Sequence, residues 1–420
     1  MRAILIGVTT KYDKYNIEYS LDELKNLAKT LNYDCVSSFS QKLDKPNSKT
    51  YIGIGKLSEV KEFVITNNID IAIFNDEMSP SQLKNVSDLL EIEVIDRTYL
   101  ILQIFEQRAK SETANLEIKL AKDIYLLPRI TLEKGEESRI GGGSSTKTRG
   151  KGETSQELNR RHLLAEISSI KDKLNKVTKD KESHMERIKK NRIPVVALVG
   201  YTNAGKSSTM NSIINFTNKD SKSEVYAKDE LFATLFTYNR KITWQKLDFM
   251  LVDTIGFISK LPTSLVNSFY QTLYEVKNAD LIIHVIDSSS EYINEQIHVV
   301  LETLHQLNAD KIPEIMLFNK YDKTLYPDIE AIGYKSIHYS NITKQGITEL
   351  LDTIRENVAP SFIHARVLIP YDKGNLIDFI EKRCTIEKRS FENNGCFFEL
   401  EIPKDSYNLF KDYDLDFMVS

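Results

Sequence analysis

In Gly200-Tyr201-Thr202-Asn203-Ala204-Gly205-Lys206-Ser207, two glycines separated by four residues are closed by a lysine and a serine. The octet follows the apolar residues 194–199, so the pattern predicts a strand that runs through a glycine-rich turn into a helix. Such a turn leaves backbone N–H groups pointing at one spot, and the positive end of the helix dipole adds to them. The oxygens of a nucleoside triphosphate are expected there. In this reading Lys206 reaches the β- and γ-phosphates as a point charge, and the Ser207 hydroxyl is a ligand of the bridging Mg2+.

Two further motifs each close an apolar run. Asp253-Thr254-Ile255-Gly256 ends residues 249–252, which sets a carboxylate at a strand terminus where it holds magnesium through water, and frees the Gly256 N–H for the γ-phosphate. Asn319-Lys320-Tyr321-Asp322 begins 63 residues after Gly256 and follows the apolar residues 315–318. A carboxylate such as Asp322 accepts two hydrogen bonds from the ring N–H and amino group of guanine, a pairing adenine does not offer, while Lys320 packs over the ring. A site built this way rejects the analogue lacking the donors by about 10⁴. Three motifs in this order predict a GTP-binding domain.

Softer signals lie between and after them. Thr234, within Phe232-Ala233-Thr234-Leu235-Phe236, stands where a switch threonine closes on magnesium and the γ-phosphate, against the plainer reading of a surface threonine. Ser340-Asn341-Ile342 follows a short apolar stretch and is read either as a source of backbone N–H groups for the guanine oxygen or as an ordinary turn. Many GTPases place a glutamine directly after the Asp-Thr-x-Gly element to orient the attacking water, whereas this chain has Phe257, and a phenyl ring orients no water. Slow intrinsic turnover and a partner that orders the site are expected, a contact worth about 10³ to 10⁵ in rate. The catalytic group is unassigned: Arg240 and the hydroxyls of Thr237 and Tyr238 are near in sequence, but nothing singles them out.

The elements that must position these motifs sit in a chain of 420 residues, 41% apolar, which accommodates several domains with ordinary cores. No apolar run approaches the roughly 18 residues of a membrane span, and the start is too short for a signal-peptide core. Cytoplasmic localisation is the expectation. Cys35, Cys384 and Cys396 show no paired metal-ligand spacing and are read as free thiols, with a Cys384–Cys396 bridge left open. The net charge of −4 hides an asymmetry, for residues 108–192 carry 21 Lys and Arg against 13 Asp and Glu. That segment is therefore +8 within an otherwise acidic chain, the footprint of a polyanion-binding module or else of a solvated charged helix.

Residues 1–107 alternate short apolar runs with amphipathic stretches and predict an N-terminal α/β domain with a parallel sheet, Gly53-Ile54-Gly55-Lys56 being read as a plain turn before the second helix. Across residues 108–192, Leu116, Leu120, Ile124 and Leu127, and then Leu163, Ile167, Ile170, Leu174 and Val177, recur at helical spacing and predict a helical hairpin with a mutual apolar seam. Its tip, residues 141–152, holds five glycines, Lys147, Arg149 and Lys151 and no acid, the composition of an RNA contact rather than of an inert linker. A P-loop GTPase domain with a mixed, mostly parallel sheet flanked by helices is placed at 193–358, and a small C-terminal α+β domain of βαβ type at 359–420. The fold class is thus multidomain α/β.

These residues resemble the HflX-type ribosome-associated GTPases over essentially the whole chain. The resemblance extends beyond the shared GTP motifs to Tyr51-Ile52-Gly53-Ile54-Gly55-Lys56, Asp96-Arg97-Thr98 with Ile104-Phe105 and Arg108-Ala109, Tyr125-Leu126-Leu127-Pro128-Arg129, Thr148-Arg149-Gly150 with Gly152-Glu153-Thr154, and Asp253 to Phe257 continuing to Leu261-Pro262. It implies GTP and GDP as ligands and a chain acting without a second copy. The hairpin would enter the ribosome with its tip near the peptidyl-transferase region of the large subunit and its rRNA, and GTP would drive subunit dissociation that rescues ribosomes stalled by stress or antibiotic. A hydrophobic residue at the position of Phe257 is usual in that family.

Several positions depart from the family pattern. Leu235-Phe236-Thr237-Tyr238 stands where Leu-Asp-Pro-Thr is usual, Lys151 replaces a proline, Ser155-Gln156 and Asn159 replace Gln-Leu and Asp, and Asn341 replaces an alanine. The altered tip motivates a divergent member that acts on antibiotic-stalled ribosomes. The competing reading is a GTP-dependent large-subunit assembly or RNA-remodelling factor; a membrane-linked signalling GTPase is disfavoured by the basic arm and the lack of an anchor.

Overall fold

Residue patterning sets the first sheet. The computed structural model describes every residue except 12–15, 131–154, 191–192, 218–237, 246, 261–274, 325, 360–361 and 416–420. Strands β1 (Arg2–Thr9), β2 (Asp34–Lys42), β3 (Ile71–Phe74) and β4 (Glu93–Asp96) alternate with helices α1 (Ile17–Thr30), α2 (Ile54–Asn67), α3 (Pro80–Leu90) and α4 (Arg97–Arg108). The strands pair in parallel in the order β2-β1-β3-β4, as helical crossovers require. Polar residues cap the helices: Asn16 accepts from the Glu18 N–H at α1, Ser79 and Gln82 form a reciprocal capping box at α3, and Asp96 accepts from the Tyr99 N–H at α4. The stretch expected as a plain turn at residues 53–56 is already helical from Ile54. Gly53 is its extended N-cap and donates its N–H to Gln41 Oε1 at 2.8 Å, which anchors the helix start on β2.

The predicted hairpin seam is a packing face. In α5 (Glu112–Leu126) and α6 (Ser155–Lys190), Leu120 meets Ile167, Ile170 and Leu174 in a buried cluster flanked by Leu116, Ile124, Leu127 and Leu163. The other face of α5, with Ile118, Ala121 and Tyr125, joins a larger core that includes Leu24 and Leu27 of α1 and Leu102 and Phe105 of α4. α5 ends two residues before Pro128, which has no N–H to continue it.

The GTP motifs hang on a second, six-stranded sheet of order β10-β9-β8-β5-β7-β6. Its strands are β5 (Val195–Gly200), β6 (Tyr238–Trp244), β7 (Leu247–Asp253), β8 (Leu281–Asp287), β9 (Glu314–Asn319) and β10 (Lys335–His338), accompanied by α7 (Lys206–Thr217) and α8 (Ile293–Gln306); α9 (Ile347–Val358) follows β10 in the chain. β10, β9, β8, β5 and β7 pair in parallel. All six residues of β5 are buried, as a central strand covered on both faces must be.

Two compact units result, Met1–Ile242 with Phe249–Ile347, and Thr243–Asp248 with Thr348–Ser420. The second holds β11 (Phe362–Ile369), α10 (Gly374–Arg383), β12 (Thr385–Glu392) and β13 (Gly395–Pro403) in an antiparallel sheet of order β11-β13-β12. β11 and β12, both antiparallel to β13, run in the same direction and are joined by α10 as a split βαβ; the strand the sequence reading did not name is β12, which a two-residue turn at Asn393 and Asn394 pairs antiparallel with β13. Cys384 and Cys396 are buried free thiols, and Cys35 is a free, partly buried one. No helix among the described residues is long and apolar enough to cross a membrane.

Candidate nucleotide-binding site

The three motifs converge at the C-terminal ends of β5, β7 and β9, where open parallel sheets place ligands. Gly200 to Lys206 turn the chain from β5 into α7. Gly205 has φ +99°, and a Cβ there would lie 2.2 Å from Asn319 Nδ2, so only glycine fits between the phosphate loop and the base motif. At Gly256 a Cβ would lie 2.8 Å from the Thr202 Cα and 3.2 Å from Lys206 Nζ, which keeps this backbone against the loop. The two segments are also stitched directly: Thr202 N–H donates to the Phe257 carbonyl at 2.8 Å and Phe257 N–H to the Gly200 carbonyl at 3.1 Å.

Charge is concentrated beneath that loop. Lys206 Nζ donates to the carbonyls of Gly200 and Tyr201 at 3.0 and 2.8 Å, and burial pushes its ammonium down to about 8. Burial likewise pushes the Asp253 carboxyl up to about 6, although the Ser207 hydrogen bond and the charge of Lys206 pull it back. Ser207 Oγ donates to Asp253 Oδ2 at 2.5 Å, while Asp253 Oδ1 and Thr202 Oγ1 are buried without a hydrogen-bond partner. The Ser207 hydroxyl and the Asp253 carboxylate, one oxygen of which is orphaned, form a hard-oxygen donor pair that fits Mg2+. Thr254 Oγ1, by contrast, donates to the Leu198 carbonyl at 2.6 Å and so fastens β7 to β5. Ile255 is 4% exposed and belongs to the core.

The motif at residues 319–322 is held from both sides. Asn319 is buried and donates Nδ2 to the Ala204 carbonyl at 2.8 Å. Lys320, in the left-handed conformation at φ 58°, pairs with Asp287 at the end of β8 at 2.6 Å, which fixes its stem beside the pocket. Asp322 is exposed and accepts from Ser340 Oγ at 2.6 Å; the same oxygen accepts the N–H groups of Ile342 and Thr343, each at 3.2 Å. Asn341 Nδ2 contacts Asn319 Oδ1 at 3.2 Å and Thr209 Oγ1 at 3.3 Å. Tyr321 stacks on His338 with centroids 4.5 Å apart and donates to the Pro327 carbonyl. Asn203, at φ 63°, and Ile342 are exposed.

Phe232, Ala233, Thr234, Leu235 and Phe236, and the tip residues Lys147, Arg149 and Lys151, lie outside the described residues. Phe257 is 1% exposed, its ring packed in the core with Tyr201 and Ile258. Arg240 donates to the Asn239 carbonyl. Asp287 went unnoticed in the sequence: it ends an apolar run as Asp253 and Asn319 do, but its meaning comes only from its contact with Lys320.

Comparison with known families agrees along the chain. Residues 18–106 match the family described as GTP-binding GTPase N-terminal, residues 108–187 its GTP-binding GTPase Middle Region, and residues 195–320 the 50S ribosome-binding GTPase family. The GTPase HflX of Caldanaerobacter subterraneus subsp. tengcongensis is 39% identical over 402 residues, covering 96% of this chain and 91% of its own. That of Escherichia coli is 33% identical over 400 residues, covering 94% and 91%. The solved complex of SsGBP with GDP is 26% identical, covers 85% of this chain and 98% of that one, and has a TM-score of 0.45. With 39% and 33% identity to these two GTPases HflX sustained over 96% and 94% of this chain, and with the three motifs gathered at the C-terminal ends of β5, β7 and β9, the chain belongs to the HflX family of GTPases and is a GTP hydrolase.

Proposed function

We propose that this GTPase binds the large ribosomal subunit and couples GTP binding and hydrolysis to subunit dissociation, rescuing ribosomes stalled by stress or antibiotic. The observation that carries the reading is the hairpin. Among its described residues the apolar side chains pack mainly into the α5–α6 seam and the core, with Leu164 exposed, while residues 108–192 retain a net +8, so this arm offers charge to a polyanion. Lys147, Arg149 and Lys151 are the proposed RNA contacts. The match of residues 195–320 to a family described as ribosome-binding supports the same partner, and the cytoplasm is the compartment this requires.

In the site, residues 200–207, 232–236, 253–256, 319–322 and 340–342 are the proposed nucleotide contacts. Mg2+, held by Ser207 and Thr234 with Asp253 behind them, would supply charge neutralisation between the β- and γ-phosphates. Lys206 exchanges its two carbonyl partners for phosphate oxygens when nucleotide enters. Asp322 selects guanine. Because the Phe257 ring is buried, the group that orders the attacking water comes from elsewhere, and the ribosome is the proposed source of that order.

The test is GTP hydrolysis with and without purified ribosomes, alongside a gradient profile of whole ribosomes and subunits. Strong stimulation with conversion to subunits is expected. Tight binding to free large subunits without stimulation replaces this reading with the assembly-factor one. The antibiotic role is tested separately by restoring the usual tip residues, including Lys151→Pro: unchanged drug tolerance would remove it.

A further inference from the structure

We propose that Glu23, on α1 far from the nucleotide motifs in sequence, is a positioning residue for GTP hydrolysis, acting through Tyr201 and Ser259 on the two loops that face the phosphates. Glu23 is 7% exposed, Arg97 1% and Ser259 0%. Glu23 Oε2 accepts from Arg97 Nη2 and Ser259 Oγ, and Glu23 Oε1 accepts from the Tyr201 hydroxyl. That hydroxyl in turn accepts the Ser259 N–H at 2.9 Å. Arg97, the first residue of α4, also donates to Ser259 Oγ at 3.1 Å and to Asn75 Oδ1 at 3.0 Å. A second ion pair, Lys260 with Asp76, runs beside them.

A buried ion pair is weak evidence for stability, because apolar residues of equal volume often do as well. What distinguishes this one is its choice of partners. Tyr201 is the second residue of the phosphate-loop octet, and Ser259 lies three residues beyond Gly256, whose N–H is directed at the γ-phosphate in the proposed site. Glu23 therefore ties the start of one phosphate-facing loop to the end of the other. The backbone between them is already tight, since Phe257 bonds to Gly200 and Thr202 in both directions. Fixing Ser259 sets where that short segment ends and hence how the Gly256 N–H is aimed.

The γ-phosphate is the group transferred in hydrolysis, and GDP lacks it. Contacts to the base and to the inner phosphates run through residues 203–207, 319–322 and 340–342, none of which bonds to Glu23 in the described structure. Loosening the tether therefore falls on the segment that faces the γ-phosphate, which hydrolysis uses and GDP binding does not.

The test uses the full chain without ribosomes, measuring GTP turnover and the affinity of a fluorescent GDP analogue for Ser259→Ala, Ser259→Thr, Glu23→Gln and the double variant Glu23→Gln/Ser259→Ala. Ser259→Ala and Glu23→Gln are each expected to lower kcat by about 5- to 20-fold while GDP affinity stays within about twofold, the signature of an effect exerted at the γ-phosphate rather than on the base or inner phosphates. Ser259→Thr, which keeps the hydroxyl, restores most of the rate, and the double variant is no worse than the worse single one. Should Glu23→Gln fail to fold because it leaves Arg97 unpaired, Ser259→Ala and Ser259→Thr decide the matter alone. Wild-type kcat in Ser259→Ala, or equal losses of kcat and GDP affinity, would overturn the proposal; so would additive effects in the double variant.

Discussion

Asn319 Nδ2 donates to the carbonyl of Ala204 across 2.8 Å, joining the base-reading motif to the phosphate loop over 115 residues of sequence. Asn341 completes the tie by contacting Asn319 Oδ1. The two motifs are therefore one device, and a change in the first is felt in the second. Asn319→Ala removes the donor and leaves the Ala204 carbonyl unpaired beneath the loop, a loss of about 1–3 kcal/mol. GDP affinity is expected to fall roughly 5- to 100-fold by the same measure, with faster dissociation in a stopped-flow displacement experiment. Unchanged dissociation would show that the loop holds its shape without Asn319.

In the proposed site Asp322 sets the choice of base. Its carboxylate is exposed and oriented by Ser340 Oγ at 2.6 Å, ready to accept from two guanine donors. Asp322→Asn replaces one acceptor with an N–H₂ that opposes the guanine amino group and matches a carbonyl instead. GDP affinity is expected to drop by about 10² or more, and xanthosine diphosphate, which carries a carbonyl at that position, to gain affinity. Competition between the two nucleotides measures both effects. Loss of both affinities would assign Asp322 to the fold of the pocket instead.

The pair at the phosphate loop predicts a pH signature. Burial raises Asp253 from 3.8 to about 6. A group raised on folding stabilises the folded chain below its unfolded pKa, and that contribution is lost as pH rises through the folded value. At pH 7.5 the ionised Asp253 is therefore a burden on the nucleotide-free protein, on the order of 2–3 kcal/mol. Asp253→Asn should raise the melting temperature by a few degrees at pH 7.5, with the gain shrinking toward pH 4, and should lower hydrolysis by roughly 10²-fold or more. A lower Tm at pH 7.5 would mean that the charge is compensated within the apo chain. Lys206, depressed to about 8, adds the opposite slope only above that pH.

Much of this site was legible because its chemistry is local. Residues 200–207, 253–256 and 319–322 each end an apolar run, and strand, turn and helix follow from residue type. The seam of Leu120, Ile167, Ile170 and Leu174 was legible for the same reason, being a periodic pattern. β8 and α8 were passed over, since the apolar residues 281–286 are interrupted by His284 and the Asp287 that closes them belongs to none of the three motifs. Glu23 was invisible: between Leu21 and Leu24 on an amphipathic helix it looks like a solvated residue, and only Arg97, 74 positions away, explains its burial. In the tail β12 went unread because residues 385–392 are mostly exposed and charged and lack a clear apolar alternation.

The hairpin seam offers a test that spares the nucleotide site. Ile170 is 4% exposed and packs in the cluster with Leu120, Ile167 and Leu174. Ile170→Ala should cost about 2–4 kcal/mol locally by cavity formation, seen as faster proteolysis within the hairpin. GDP affinity should not change, whereas stimulation by ribosomes, which in the proposed function works through this arm, should fall. Full stimulation by a chain with a cleaved or melted hairpin would detach the arm from ribosome binding.

Phe257 separates two explanations of the slow intrinsic turnover expected from the sequence. If the position merely lacks the glutamine that orients water in other GTPases, Phe257→Gln should accelerate hydrolysis. The structure argues otherwise, because the ring is 1% exposed and packed in a core that reaches Tyr201, Ile258 and the helices of the first sheet. A glutamine amide placed there has no evident partner and is buried at a cost of roughly 1–3 kcal/mol, beyond the packing lost with the ring. Its backbone still bonds to Gly200 and Thr202, so the loop is held while its core support is weakened. Phe257→Gln is thus expected to lower the melting temperature by several degrees and to leave intrinsic turnover equal or slower; Phe257→Leu should recover most of the stability. A faster GTPase with an unchanged melting temperature would show that the side chain swings out to the γ-phosphate, and the search for the missing catalytic group would then return to this position.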